Sequence, residues 1–580
     1  MEEKILSFNN SEVFRNLAGK YANEGNYVKA LNFLFTALEN CKDKLDILAD
    51  IAQIYSDMDL FDLSNKYWFK FLDKAPKIDK GLAYEELLSN YFYLEKIWIA
   101  GYYFQCKLEQ DGKLDKLNID EDIINFFSEQ SSLVEKKKRK QYYTVYPLEK
   151  ADYSHIEETA SQSMLLGDRI TAVQMLLTIP PEKRTEKIVQ DIACACYFTG
   201  DIDTIIKVCL QSLNCFGDNI TALSYLSIAY KMKNNNEKSE FYYRKALSLI
   251  KSKEYIEHKK AKNFKEDAYK IFSCAIEHCD YQVINEYANI VISDRPYDAN
   301  MYYFYAINCL NMGNYDKAVE LFAYICKIEP DNLLFLEMLK LSKDFANGKI
   351  QIGQYLPFDY IKEFPKKLCQ KYKTMADKML LGDKNGKVVV LNNKKLQMLC
   401  GGVIYGDSKT SESCAHVLAS CNTGAVKEQL RNMLLMPEIP LDIKRLFIYS
   451  LIIGKTREKI GVVANDIYKK AKLSKLSFEN KVFGKMFFSA YAVAYAWALT
   501  WNISKPFKVA SVSEKTYNLF HLDMLNNGLS PDEITAVIMY RCNFPEIKDK
   551  NVICYVLGIE KSRIEKYINT NNDDKGETNG

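Results

Sequence analysis

The chain has 580 residues, which at about 150 per domain corresponds to roughly four domains or one extended array. Its 78 basic and 75 acidic residues leave a net charge of +3, so no global field recruits nucleic acid or an anionic membrane. With only 13 Pro and 24 Gly, the chain is short of the residues that sandwiches, barrels and phosphate-cradling glycine loops require. Long helices with short connections are what this composition leaves.

The first pattern along the chain is Phe14, Leu17, Ala18 and Tyr21, then Gly25-Asn26-Tyr27, then Ala30, Leu34 and Ala37. Shifted by 34 residues it reads Leu48, Ile51, Ala52, Tyr55, Asp59, Phe61, Ser64, Trp68, Phe71 and Pro76. A third copy from Gly81 uses Tyr84, Leu87, Tyr91, Ala100 and Phe104. Residues 109–152 interrupt the rhythm and hold the basic run Lys136-Lys137-Lys138-Arg139-Lys140. Copies then start near Tyr153, Glu186, Ile220 and Lys265, with a second break at residues 252–263. The clearest copy carries Tyr302, Tyr305, Ala306, Cys309, Gly313-Asn314-Tyr315, Ala318, Phe322, Ile325 and Pro330.

This spacing has a physical cause. Two antiparallel helices of about 14 residues pack closely where small residues stand, as at Ala18 with Ala30 and Ala306 with Ala318. Gly25 and Gly313 accept the positive φ of the turn, and Pro76 and Pro330 end second helices. The pattern resembles the tetratricopeptide repeat (TPR) family. The resemblance implies an all-α fold: a TPR α-solenoid of about eight helix-turn-helix repeats, followed by an irregular helical C-terminal domain. The expected boundaries are repeats one to three at 11–114, a basic linker at 115–152 and repeats four to eight at 153–332. A helical region with a loose likeness to HEAT pairs follows at 340–480. A helix-turn-helix-like module at 481–570 and a tail at 571–580 complete the expected order.

What the resemblance implies is partner binding rather than chemistry. Stacked repeats leave a concave wall of first helices free. The family's concave positions carry over to Arg15 and Asn23 in the first copy and Gln53 in the second. In later copies they fall on Tyr197, Phe198, Tyr269, Tyr303 and Asn311. The dicarboxylate clamp of chaperone-binding relatives is not reproduced, because Gly19 stands where it needs an Asn. A groove mixing Tyr and Asn suits an extended or helical peptide with aromatic or aliphatic anchors. The alternative is that these rings pack on an adjoining element of the same chain.

Beyond Pro330 the 34-residue rhythm stops. Residues 396–404, 414–420, 426–435 and 443–453 are apolar-periodic segments, and Lys387–Leu391 reads as a lone strand. Near the end, Val509-Ala510-Ser511-Val512-Ser513-Glu514-Lys515-Thr516-Tyr517 looks like part of a helix-turn-helix tail. A second candidate pivots on Leu557-Gly558-Ile559. There Ile564 and Ile568 would face the core, leaving Lys561, Ser562, Arg563 and Lys566 outward, where DNA-binding versions reach bases and phosphates. Glu560 and Glu565 beside those bases weaken a phosphate footprint.

Signals for catalysis are missing. The 16 Cys show no C-x-x-C spacing and the five His no paired ligand set. Cys274, His278 and Cys279 are three soft ligands where a structural zinc usually takes four. Gly454-Lys455-Thr456 has the tail of a phosphate loop without its first Gly or preceding strand. Residues 486–501 are apolar but shorter than the roughly 20 a spanning helix needs. The N-terminus has no signal-peptide pattern. The reading is a non-enzymatic, cytoplasmic scaffold with no cofactor, metal, membrane or small-molecule substrate, binding a protein or peptide in its groove. The alternative is a TPR-containing transcriptional regulator that binds DNA through the C-terminal module.

Overall fold

The computed structural model describes residues 2–41, 44–111, 160, 164, 169–252, 264–350, 356–358, 366–384, 391–456, 458–473, 476, 478, 482–547 and 549–568. The expected basic linker, most of the fourth repeat before residue 169, and the tail lie outside these. So does the expected strand at Lys387–Leu391, except Leu391, which is in no strand. The chain forms two compact units, Met1–Trp68 with Lys77–Lys362, and Phe69–Pro76 with Glu363–Gly580.

The first unit is built of helical hairpins. Its helices are α1 (Glu2–Asn23), α2 (Tyr27–Asn40), α3 (Leu45–Asp57), α4 (Phe61–Lys74, whose end falls in the second unit), α5 (Lys80–Tyr93) and α6 (Ile97–Asp111). There follow α7 (Arg169–Leu177), α8 (Glu186–Thr199), α9 (Ile202–Phe216), α10 (Ile220–Met232) and α11 (Asn236–Ile250). The unit continues with α12 (Phe264–His278), α13 (Tyr281–Asp294), α14 (Ala299–Asn311), α15 (Tyr315–Ile328) and α16 (Leu333–Ala346).

One turn geometry closes the hairpins. Between first and second helices a single residue takes positive φ: Gly25, Asp59, Glu95, Gly200, Asn234, Cys279 and Gly313. Glycine does this without steric penalty, whereas the other four hold a conformation that L side chains avoid. The next residue often caps the second helix. Asn26, Asp201, Asn235 and Asp280 each accept a hydrogen bond from a main-chain N–H of the first turn. Four of the hairpins bury small residues at the close approach of their helices: Ala18 with Ala30, Ala52 with Ser64, Ser227 with Ser239, Ala306 with Ala318. Large rings such as Tyr55, Trp68, Tyr91 and Phe104 fill the remaining volume.

Packing in this unit goes beyond neighbouring repeats. Helix α2 packs on α15. Tyr55 Oη donates to the Ile328 carbonyl at 2.8 Å, and Tyr67 Oη donates to Asp331 at 2.9 Å. Lys66 Nζ lies 3.1 Å from the same carboxylate. The first two hairpins therefore rest on the last one, a contact between residues more than 260 positions apart. Burial, with Asp331 nearby, holds both phenols well above their ordinary pKa, so both stay donors.

The second unit is also mainly helical: α17 (Lys366–Lys384), α18 (Asn393–Tyr405), α19 (Ser408–Ser420), α20 (Gly424–Leu434), α21 (Leu441–Ile453), α22 (Phe483–Thr500), α23 (Lys508–Asn526), α24 (Pro531–Cys542), α25 (Asn551–Leu557) and α26 (Lys561–Ile568). The apolar run of 486–501 is the body of α22, which packs against α21, α23 and α24. Close packing of α18 on α19 needs Gly402, where an added Cβ would fall 2.5 Å from Cys414 Sγ.

An antiparallel hairpin was not anticipated from the sequence. Strands β1 (Lys459–Ala464) and β2 (Ile467–Lys472) pair from Lys459 opposite Lys472 to Ala464 opposite Ile467. Asn465 and Asp466 form its turn with φ of 50° and 63°, the conformation a two-residue hairpin favours. Lys444 Nζ donates to the Val463 carbonyl at 2.6 Å, and Asn502 Nδ2 to the Ala464 carbonyl at 2.9 Å. Burial pushes the Lys444 ammonium down to about 8, against Glu438 and Asp466.

Candidate partner-binding groove

The first helices of three successive repeats, α8, α10 and α12, lie side by side. A polar row crosses them. Thr221 Oγ1 donates to Glu186 Oε1 at 2.6 Å, and Lys270 Nζ donates to Thr221 Oγ1 at 2.7 Å. Lys270 also lies 3.2 Å from Glu266 and 3.6 Å from Asp267. Burial raises the Asp267 carboxyl to about 6, with Lys270 opposing. None of these four acids and bases was singled out from the sequence, because each looks like an ordinary surface charge until the helices stack.

Aromatic groups occupy other positions on the same helices. Tyr197 and Phe198 at the end of α8 are 45% and 64% exposed, and the Arg169 guanidinium sits 4.9 Å over the Phe198 ring. Tyr269 of α12 lies under the Arg295 guanidinium at 3.8 Å, a close cation–π pair. Both rings are thus presented beside a positive group.

In the first two repeats the expected residues are arranged differently. Arg15 is held between two carboxylates of α3, with Nε 2.6 Å from Asp50 and Nη1 3.1 Å from Asp46. Its positive charge is spent between repeats. Asn23 is exposed, and exposed Gln53 donates to Asp57 at 3.2 Å.

On α14 the expected pair diverges. Tyr303 packs edge-on to Phe322 at 5.8 Å and against Phe335 at 6.2 Å, so its ring belongs to the packing of α15 and α16. Asn311 reaches another stretch of its own chain. Its Nδ2 donates to the Leu356 carbonyl at 2.9 Å, and the Leu356 N–H donates to its Oδ1 at 2.8 Å. Two residues on, the Phe358 ring lies 5.9 Å from Tyr281. Tyr303 and Asn311 thus both contact other stretches of their own chain.

His278 closes a second polar cluster. Its Nε2 lies 3.0 Å from Ser227 Oγ and 3.2 Å from Ser239 Oγ, and its Nδ1 lies 3.0 Å from Glu240. The ring stacks on Tyr243 at 4.5 Å. Burial, with Lys231 and Arg244 nearby, lowers its pKa against the pull of Glu240. Cys274 instead points to the Ser224 carbonyl and Cys279 is exposed, so the three soft ligands face different partners. Among the described residues no group of three or more His, Cys, Asp or Glu is placed to hold a metal ion. Nor, among them, is any helix long and apolar enough to cross a membrane.

In the second unit, α25 ends at Gly558 (φ 63°) and α26 begins three residues later at Lys561; both pack on α24. Ile564 and Tyr567 are buried and Ile568 half-buried. Of the outward residues, Arg563 Nε donates to Glu533 at 2.8 Å, and Lys566 Nζ lies 2.6 Å from Asp523. Lys561 reaches Asn551 at 3.4 Å, and Ser562 is exposed. Two of the three bases are thus paired with acids of α23 and α24.

No family model matches the chain, and no curated protein does. Solved structures do. A tetratricopeptide repeat protein from Parabacteroides merdae ATCC 43184 aligns at 12% identity over 58% of this chain and 99% of its own, with a TM-score of 0.24. The TPR2AB domain of yeast Sti1, solved as a pHSP90 complex, aligns at 12% identity over 46% and 98%, with a TM-score of 0.18. Yeast Tom70 aligns at 12% identity over 77% and 97%, with a TM-score of 0.21. The fold assignment itself rests on the hairpins, their shared turn and their small-residue contacts. The first unit is a TPR-like helical repeat. The polar groups of α8, α10 and α12 are arrayed across successive repeats.

Proposed function

We propose that this protein is a non-enzymatic, cytoplasmic scaffold whose TPR-like unit holds an extended segment of a partner protein along its first-helix wall. The observation that carries this reading is the pairing of Asn311 with both main-chain groups of Leu356. A carboxamide that satisfies the N–H and C=O of one extended residue recognises peptide backbone as a neighbouring strand would. Glu186 and Lys270, half-buried around the fully buried Thr221, and exposed Glu266 supply polar groups further along, and Tyr197 and Phe198 supply apolar anchors.

The non-enzymatic part of the reading is supported by the fate of the His278 cluster. Glu, His and Ser in sequence are the residue types of a hydrolytic triad. Here Ser227 and Ser239 are 1% and 0% exposed, and each hydroxyl also bonds a main-chain carbonyl. No substrate reaches them while the hairpins are packed.

The test is selection of a displayed random peptide library on the full-length chain. Enriched peptides are expected to share a motif and to lose at least tenfold in affinity with Lys270→Ala. Peptides that bind equally well to that variant and to Phe198→Ala would refute the wall as the binding surface.

A further inference from the structure

Resting on that reading, we propose that Leu356-Pro357-Phe358 is a built-in occupant of the groove at α14. The same seat would take from a partner an extended peptide carrying a proline followed by an aromatic residue. Three features of the segment make it a ligand rather than an ordinary connection. The first is the two-point bond to Asn311, which reads backbone and is indifferent to the side chain. The second is Pro357. Proline restricts the residue before it to extended conformations, so Leu356 is pre-set in the form whose N–H and C=O point the same way. The third is Phe358, whose ring meets Tyr281 at 5.9 Å.

The seat is itself held in place. Tyr281 is the first residue of α13, and its carbonyl accepts from Asn308 Nδ2 at 3.1 Å. Asn308 lies fully buried on α14, three residues before Asn311. One helix therefore fixes both the backbone clamp and the aromatic shelf, and their separation selects residues i and i+2 of an extended ligand.

The occupant is held lightly. Pro357 is exposed, and Leu356 and Phe358 are only half-buried. What favours it is attachment: a segment in the same chain as its seat competes at an effective concentration on the order of millimolar. It therefore masks the seat from weak ligands and yields to a partner that adds contacts along the α8–α12 wall.

The probe is a fluorescein-labelled peptide with the sequence of residues 352–362, titrated against full-length chains by anisotropy. One chain is unaltered. A second carries Leu356→Gly, Pro357→Gly and Phe358→Gly, and a third adds Asn311→Ala to these. The cleared chain is expected to bind at least tenfold tighter than the unaltered one, and Asn311→Ala to reverse at least tenfold of that affinity. Melting curves establish that each variant is folded. Equal binding by the unaltered and cleared chains, or no effect of Asn311→Ala, would overturn the proposal. If a variant does not fold, amide exchange in the otherwise unaltered chain decides. Asn311→Ala is expected to speed exchange at the Leu356 N–H at least tenfold, and an unchanged rate overturns the proposal. A failure here with library peptides still sensitive to Lys270→Ala would leave the wider groove reading standing.

Discussion

Ser227 and Ser239 bond to each other's main chain, with Ser227 Oγ donating to the Ser239 carbonyl at 3.1 Å and Ser239 Oγ to the Ser227 carbonyl at 2.8 Å. They stand where Ala18 and Ala30 meet in the first hairpin and Ala306 and Ala318 in the eighth. Serine is small enough for the close approach, and its hydroxyl, buried there, must find a partner. The exchange satisfies both, and His278 from the next repeat seals the pair.

This arrangement predicts an acid-sensitive joint. The His278 pKa is lowered in the folded chain, chiefly by burial, so the unfolded chain binds a proton at higher pH than the folded one does. The contribution is present above about 6.5, the ordinary imidazole value. It is lost as pH falls through the lower folded value. Urea unfolding at pH 7.5 and pH 5 is expected to show a larger drop in midpoint for the unaltered chain than for His278→Gln. Equal drops would contradict it.

Glu95 is exposed at a turn with φ 58°, where Gly25, Gly200 and Gly313 occupy the equivalent place. Glu95→Gly relieves left-handed strain at the cost of a more flexible unfolded chain, and is expected to stabilise by roughly 0.5–1 kcal/mol. Chemical denaturation measures this directly, and a destabilisation would show that the Glu95 side chain holds a contact worth more than the strain.

Lys107 and Glu85 form a buried ion pair at 2.7 Å, with side chains 8% and 9% exposed. Removing one partner leaves a carboxylate in low dielectric, so Lys107→Ala is expected to cost about 3–5 kcal/mol. The double change Lys107→Met with Glu85→Leu is expected to recover most of it, since two apolar groups of similar size need no partner. A double variant as unstable as the single would mean that shape, not charge, is what the pair supplies.

Asp331 accepts from Tyr67 and pairs with Lys66. Asp331→Ala is expected to cost roughly 2–3 kcal/mol through loss of charge-assisted bonds to buried groups. Amide exchange should accelerate in α2 and α3 ahead of α10 and α12. Uniform acceleration, or none, would contradict a distinct joint between the first hairpins and the last.

The sequence made the hairpins legible because their constraints are local. A small residue on each helix, a positive-φ turn and a cap lie within one 34-residue window. The positive-φ turn was harder to see where Asp59, Glu95, Asn234 or Cys279 replaces Gly. The contact of Tyr55 with Ile328 has no local signature, since the two residues stand 273 positions apart. The β hairpin was hidden for another reason. Ile460, Val462 and Val463 are all buried, so the strand shows no alternation, and Asn465-Asp466 was the one turn signal. At the candidate groove, Asn311 was named from its place in the repeat. Its partner Leu356 was not, because it lies beyond Pro330, where the 34-residue pattern stops.

The most direct test of the groove is amide exchange of the full-length chain with and without its tightest library-selected peptide. Added protection is expected in the first turns of α8, α10 and α12, with faster exchange at the Leu356 N–H as the internal segment is displaced. Protection confined to α9, α11 and α13, or to the second unit, with Leu356 unchanged, would contradict the account.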